Sequence, residues 1–240
     1  MIRAISLDLW KTLIIDKPED EVLRDRIRAH AIFCILAERG ILASEETLYA
    51  SLRRIDVLRS DVREMPDWTI TTTNQIRFVL TQSTIYPTPD LVDAIVPRYD
   101  SAILDRLPSL LEPDAPHTLA ALSAAYPLSL TSNTGKTPGH ILLHVLDAFG
   151  IRRFFSHFVF SDEIMCVKPQ QGIWDYLISV NGVQPDEILH VGDSYSVDYR
   201  GALEAGFRAV LFGCREPRGH DVRCIDSLNE LTHVIQEMNA

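Results

Sequence analysis

From residue 113 onward the chain alternates short apolar segments with stretches of helical spacing, and this alternation constrains the fold more than any other feature. Strands are expected at residues 128–131, 158–160, 188–191 and 209–212, with helices at 116–125, 138–149, 170–181 and 199–205. Strands this short, joined by single helices, imply right-handed crossovers and a Rossmann-like, doubly wound parallel sheet of the α/β class. Residues 2–7 form one more apolar segment that stops abruptly at Asp8, the pattern of a buried parallel strand.

Between this first strand and the alternating region lies a block of different character. Leu23, Ile27, Ala31, Cys34 and Ile35 recur at helical spacing, Gly40 interrupts, and Ser44 is placed to cap a second helix. Further helices are expected at 68–81 and 88–104, the latter kinked or split by Pro97, which lacks an amide hydrogen. No strand pattern occurs within the block. The expected organisation is therefore a core of residues 1–15 and 108–240 with an inserted, all-helical cap domain at 16–107.

Composition excludes several classes of function. With 46% apolar and 23% charged residues the chain reads as globular, and no apolar run approaches the roughly 18 residues that span a bilayer. The formal charge of −10 opposes the phosphate backbone of nucleic acids, so neither nucleic acid nor membrane is an expected partner. Cys34, Cys166, Cys214 and Cys224 form no CxxC pair and follow no export signal, so they read as reduced, buried thiols of a cytoplasmic protein.

In a parallel α/β sheet, ligands bind beyond the carboxyl ends of the strands. Asp8, Ser132 with Asn133, Lys168, and Asp193 with Asp198 all fall at or just past such ends. Topology thus brings carboxylates, a hydroxyl and a lysine to one rim, although more than a hundred residues separate some of them. The segments read Ser6-Leu7-Asp8-Leu9-Trp10-Lys11-Thr12-Leu13, Leu128-Ser129-Leu130-Thr131-Ser132-Asn133, Lys168-Pro169, and His190-Val191-Gly192-Asp193-Ser194-Tyr195-Ser196-Val197-Asp198. In this order and spacing they resemble the four motifs of the haloacid dehalogenase-like hydrolase superfamily, and the inserted block resembles its helical cap.

The resemblance implies a magnesium-dependent phosphatase acting on a small phosphorylated molecule. Asp8 would attack phosphorus to form an aspartyl-phosphate, replacing one difficult displacement by two easier ones. It implies Mg²⁺ held by Asp8, the Trp10 carbonyl and Asp193, with Asp198 supplementing that shell. Thr12, Ser132 and Asn133 would contact phosphoryl oxygens, and Lys168 would neutralise charge between nucleophile and phosphate.

Position 10 departs from the pattern, because phosphatases of the superfamily carry there an aspartate that protonates the leaving group. An indole N–H cannot do this near neutral pH, and such help is worth about 10²- to 10⁴-fold in rate. Lys11 likewise replaces a residue that is usually small. The aromatic at position 10 is shared with the superfamily's dehalogenases, so a carbon–halogen hydrolase is one alternative. A catalytically weakened protein that only binds a phosphorylated ligand is another. Asp193 and Asp198 favour phosphorus: both stand where a magnesium site needs them, and a metal-free dehalogenase has no need of an acid following Gly192. The phosphonate-cleaving branch needs a cap lysine, and no lysine occurs between residues 18 and 135.

Other patterns read as structural. His140 and His144 lack the glutamate of HExxH, and Gly192-Asp193-Ser194-Tyr195-Ser196 lacks the last glycine of a nucleophile elbow. Arg53, Arg54, Arg59 and Arg63 recur on one helical face and are expected to form a solvated, salt-bridged surface.

Overall fold

The computed structural model describes residues 1–61, 64–213 and 222–240. The chain divides into two compact units, one of residues 1–15, 109–133 and 146–240, the other of residues 16–108 and 134–145.

The first unit is built on a six-stranded sheet. In chain order its strands are β1 (Ala4–Leu7), β4 (Leu128–Ser132), β5 (His157–Phe160), β6 (Ile188–Gly192), β7 (Arg208–Phe212) and β8 (Cys224–Ile225), arranged β5-β4-β1-β6-β7-β8. Every pairing is parallel, as the alternation of strands and helices requires. β1 lies centrally, with Leu7 opposite Leu130 on one side and Val191 on the other. Its four residues are all buried, which is why the segment is mostly apolar rather than alternating, with Ser6 as the polar exception. Two short strands, β2 (Ile14–Ile15) and β3 (Ser109–Leu110), form a separate antiparallel pair.

The helices expected after residue 113 agree with Ala115–Ala125, Gly139–Ala148, Gln171–Asn181 and Arg200–Glu204 to within a residue or two. The last is entered through a π-helical turn, Tyr195–Tyr199. One core gathers Ala4, Val159, Ile173, Trp174, Leu177 and Phe207. The pair β2–β3, strand β8 and the C-terminal helix Leu231–Asn239 were not anticipated from the sequence. Two-residue strands carry too little periodicity to register.

The second unit is helical. Pro18–Glu38, Glu45–Arg59, Thr72–Gln82 and Pro89–Asp105 surround a core of Ile32, Leu36, Leu52, Ile76, Val79 and Ile95. Gly40 adopts a positive φ of 69°, and the Ser44 hydroxyl accepts a hydrogen bond from the Thr47 amide, so the first break and cap fall where expected. Pro97 does not split its helix. Pro97 and Asp93 are both exposed, leaving the carbonyl that loses its donor on the solvent side.

Residues 134–145, expected in the core, group with the helical unit instead. The cause is electrostatic: buried Lys136 donates to Asp25 at 2.6 Å and pairs with Asp56 at 2.7 Å. Asp25 is itself fully buried and also meets Arg28 at 3.2 Å and Arg53 at 3.1 Å. The arginine face is therefore only partly a surface feature. Arg53 is half-exposed, whereas Arg59 donates to the backbone carbonyls of Thr69 and Thr134. Arg54 meets the Gln82 side chain, and Arg63 lies outside the described residues.

The reading of four reduced, buried thiols is corrected. Cys34 and Cys166 are free and half-buried, but Cys224 is disulfide-bonded, and Cys214 lies outside the described residues. The expectation rested on the lack of CxxC spacing, a pattern that reports only close pairs. Among the described residues no helix is long and apolar enough to cross a membrane.

Candidate active site

Asp8 follows the last residue of β1, and its amide donates to the Val191 carbonyl at 2.9 Å, continuing the ladder one step past the strand. A tight loop then forms, with the Leu13 and Ile14 amides both donating to the Leu9 carbonyl. Lys11 turns the chain with a left-handed φ of 58°, which explains the usual preference for a small residue in that slot. Within the loop Trp10 is half-buried and bridges to Ile14, while buried Thr12 donates to Asp8 Oδ2 at 3.4 Å.

Lys168 reaches the same point from beyond β5. Its ammonium is 1% exposed and lies 2.7 Å from both Asp8 Oδ1 and Asp198 Oδ1. The backbone of Lys168 is gripped by Asn133, whose Oδ1 accepts the Lys168 amide at 2.7 Å and whose Nδ2 donates to its carbonyl at 2.9 Å. One Asn133 amide hydrogen is left for any other acceptor. Ser132, at the end of β4, is fully buried and its hydroxyl has no partner among the described residues. A buried hydroxyl without a partner is costly and calls for an explanation such as a ligand oxygen.

Asp193 and Asp198 come from the turn after β6. Asp198 Oδ2 accepts the Ser194 amide at 3.0 Å, and the π-helical turn carries the carboxylate back against the strand end. Oxygens of Asp8, Asp193 and Asp198 lie within 4.8 Å of one another. Three hard oxygen donors converging in this way fit a divalent cation such as Mg²⁺ or Ca²⁺ better than a soft metal. Among the described residues they are the only group of three or more acids, histidines and cysteines so disposed. His140 and His144 belong to no such group; His140 is exposed and 3.8 Å from Asp100.

Electrostatics separates the acids. Burial pushes Asp8 up to about 7, against the pull of Lys168 and with the push of Asp198. Burial also acts to raise Asp198, but Lys168 and the His190 hydrogen bond outweigh it and hold this carboxyl below the ordinary range. Burial raises Asp193, and the charge of Asp198 adds to it. Lys168 stays above its ordinary value because Asp198 and Asp8 outweigh its desolvation, while burial lowers His190 and keeps the ring neutral. Asp198 is thus the standing anion of the pair, and Asp8 the carboxylate whose ionisation is conditional.

The structure therefore brings Asp8, Thr12, Ser132, Asn133, Lys168, Asp193 and Asp198 to one rim of one sheet. Ser6, Thr131 and His190 went unnoticed in the sequence as site residues, although three polar side chains in central strands were a visible anomaly.

A family model described as haloacid dehalogenase-like hydrolase matches residues 2–206. A glyceraldehyde 3-phosphate phosphatase of Methanopyrus kandleri is 30% identical, the alignment covering 99% of each chain. A phosphoglycolate phosphatase of Pasteurella multocida is 34% identical over 42% of this chain and 44% of its own. Among solved structures, a 2-haloacid dehalogenase from Pseudomonas syringae pv. Tomato DC3000 has a TM-score of 0.70 at 20% identity, covering 99% of this chain and 100% of that one. A phosphatase from Thermococcus onnurineus has a TM-score of 0.63 at 23% identity, covering 98% of both. At these identities the two structures speak for the fold alone. On the family match and the full-length relative, the chain belongs to the haloacid dehalogenase-like hydrolases.

Proposed function

We propose that the chain is a Mg²⁺-dependent phosphatase of a small phosphorylated molecule, with Asp8 as nucleophile. The observation that carries this reading is the convergence of Asp8, Asp193 and Asp198, with Lys168 bridging Asp8 and Asp198, beside an unsatisfied Ser132 hydroxyl. An acid following Gly192 has no part in a metal-free attack on carbon, and the phosphatase names of the sequence relatives point the same way.

Asp8, the Trp10 carbonyl and Asp193 would hold the cation, with Asp198 supplementing them; bound there, it would supply positive charge against the phosphoryl oxygens. The chain's own groups do the rest. One Asp8 oxygen forms a bond to phosphorus as the bond to the leaving group breaks, and water later releases phosphate from the aspartyl-phosphate. Lys168 offsets the negative charge of nucleophile and phosphoryl group, and Ser132 Oγ–H with the spare Asn133 amide hydrogen donates to phosphoryl oxygens. Thr12 steadies Asp8. Substrate selection is assigned to the helical unit as cap, and the cytoplasm is the compartment proposed.

Trp10 supplies no proton to the departing oxygen, so substrates with good leaving groups, such as acyl or aryl phosphates, are favoured. The test is turnover of an aryl phosphate and a panel of metabolite phosphates, glyceraldehyde 3-phosphate included, with and without Mg²⁺, for wild type and Asp8→Asn. Metal-dependent phosphate release lost in Asp8→Asn supports the reading. Halide release from 2-haloacids without metal, or Mg²⁺-dependent ligand binding with no turnover, replaces it by one of the alternatives. Alkyl phosphates hydrolysed as fast as aryl phosphates would remove the leaving-group argument.

A further inference from the structure

Thr131 in β4, Ser6 in β1 and His190 in β6 sit side by side in the three central strands, all fully buried. Ser6 is the register partner of both Ser129 and His190, so by alternation Thr131, Ser6 and His190 share one face of the sheet with Asp8. Burying three polar side chains costs free energy unless they are hydrogen-bonded. They are bonded to one another: Thr131 Oγ1 and Ser6 Oγ are 2.9 Å apart, and Ser6 Oγ and His190 Nδ1 are 2.9 Å apart. His190 Nε2 then meets Asp198 Oδ1 at 3.2 Å, the same oxygen that accepts from Lys168.

With the imidazole kept neutral by burial, one arrangement of protons satisfies this chain. Asp198, held ionised by Lys168, has no hydrogen to give, so His190 Nε2 carries the proton and donates. The neutral ring then accepts at Nδ1, which makes Ser6 the donor there and leaves the Ser6 oxygen to accept from Thr131. The imidazole is also packed edge-on against Trp174, with ring centroids 5.0 Å apart at 77°. The charge of Asp198 fixes its tautomer, and Ser6 with Trp174 fixes its orientation.

We propose that His190 is a positioning residue: its Nε2–H, locked by Ser6 and Thr131, fixes Asp198 Oδ1 and through it holds the Lys168 ammonium against the nucleophile Asp8. Outer groups that orient the groups acting at a site are worth about 10- to 100-fold in activity. The kinetic consequence rests on the phosphatase reading; the relay itself does not.

The test has two arms. In protein labelled with ¹⁵N-histidine, the His190 ring, assigned by its loss in His190→Gln, shows the Nε2-protonated tautomer, and Ser6→Ala weakens that preference. A ring protonated at Nδ1, or one unaffected by Ser6→Ala, overturns the relay. In kinetics, His190→Phe lowers kcat about 10- to 100-fold with KM little changed, and His190→Gln, whose side-chain amide can replace the Nε2 donor, recovers most of it. Ser6→Ala lowers kcat in the same sense by less and serves where the His190 variants do not fold. Unchanged kcat in His190→Phe, or in Ser6→Ala where that variant serves, overturns the proposal. So does a folded His190→Gln as slow as His190→Phe. If the wild type hydrolyses no phosphate in the panel, the phosphatase reading has failed, and the tautomer measurement decides the relay alone.

Discussion

Gly192 and Asp198 approach so closely that a Cβ on residue 192 would lie 2.4 Å from Asp198 Cγ. Asp198 has nowhere to retreat, because Lys168, His190 and the Ser194 amide each hold one of its oxygens. Gly192→Ala should therefore displace the carboxylate rather than be absorbed. Thermal unfolding should show a loss of about 1–3 kcal/mol, as for other overpacked sites, and phosphatase assays should show a loss of activity larger than that stability change explains.

Lys168→Met leaves Asp8 and Asp198 buried together without their shared cation. Removing one partner of a buried ion pair costs about 3–5 kcal/mol. The pH dependence has a definite sign: without the lysine, at least one carboxyl has its folded-state pKa raised above the unfolded value of about 3.9. Its contribution to stability is present in acid and is lost as pH rises through the raised value. Urea denaturation at pH 5 and pH 8 should show the larger deficit at pH 8.

The wild type should show a metal effect of opposite sign. Burial raises Asp8 to about 7, so in the metal-free protein this group contributes stability below about pH 4 that fades as pH rises through 7. A divalent cation needs the ionised carboxylates, so its binding releases protons and weakens in acid. The rise in Tm produced by Mg²⁺ should be greater at pH 8 than at pH 5.5, and Asp193→Asn should reduce it at both.

Lys11 occupies a left-handed conformation that costs a residue with a Cβ about 1–2 kcal/mol. Glycine removes that cost but adds about 0.5–1 kcal/mol of unfolded-state entropy. Lys11→Gly should stabilise the chain by up to about 1.5 kcal/mol in denaturant titration. It should also raise the Asp193 pKa further, because the Lys11 charge pulls it down.

In the helical unit, Lys136→Met should leave Asp56 with Arg53, 2.9 Å away, and weaken the hold on residues 134–145. Hydrogen exchange in that segment should quicken, with a stability loss of about 3–5 kcal/mol typical of a broken buried pair. Asp56→Asn in the same background should cost less than it does alone.

The parallel sheet was legible because its strands are buried on both faces and separated by single helices, and Asp8, Ser132, Lys168 and Asp193 were legible because they stand at strand ends. That Pro97 leaves its helix unsplit was hidden because the sequence does not say which side of that helix meets water. The placement of residues 134–145 was hidden for a different reason: it depends on Lys136 finding Asp25, a partner 111 residues away. The Asn133 grip on the Lys168 backbone is likewise a contact that neither local segment announces. His190 and Ser6 offered a signal, a ring and a hydroxyl inside otherwise apolar strands, whose meaning needed the register between β1 and β6.

The central position of β1 carries a consequence for how the chain matures on the ribosome. The sheet's middle strand is the first made, yet its neighbours, opposite Leu7 at Leu130 and Val191, are translated far later. Pairings so distant in sequence form slowly and leave the waiting segment open to wrong partners. At roughly 5–20 residues per second, Ala4–Leu7 waits many seconds for both edges to be covered, and nascent chains stalled before residue 188 should be the ones that recruit chaperones.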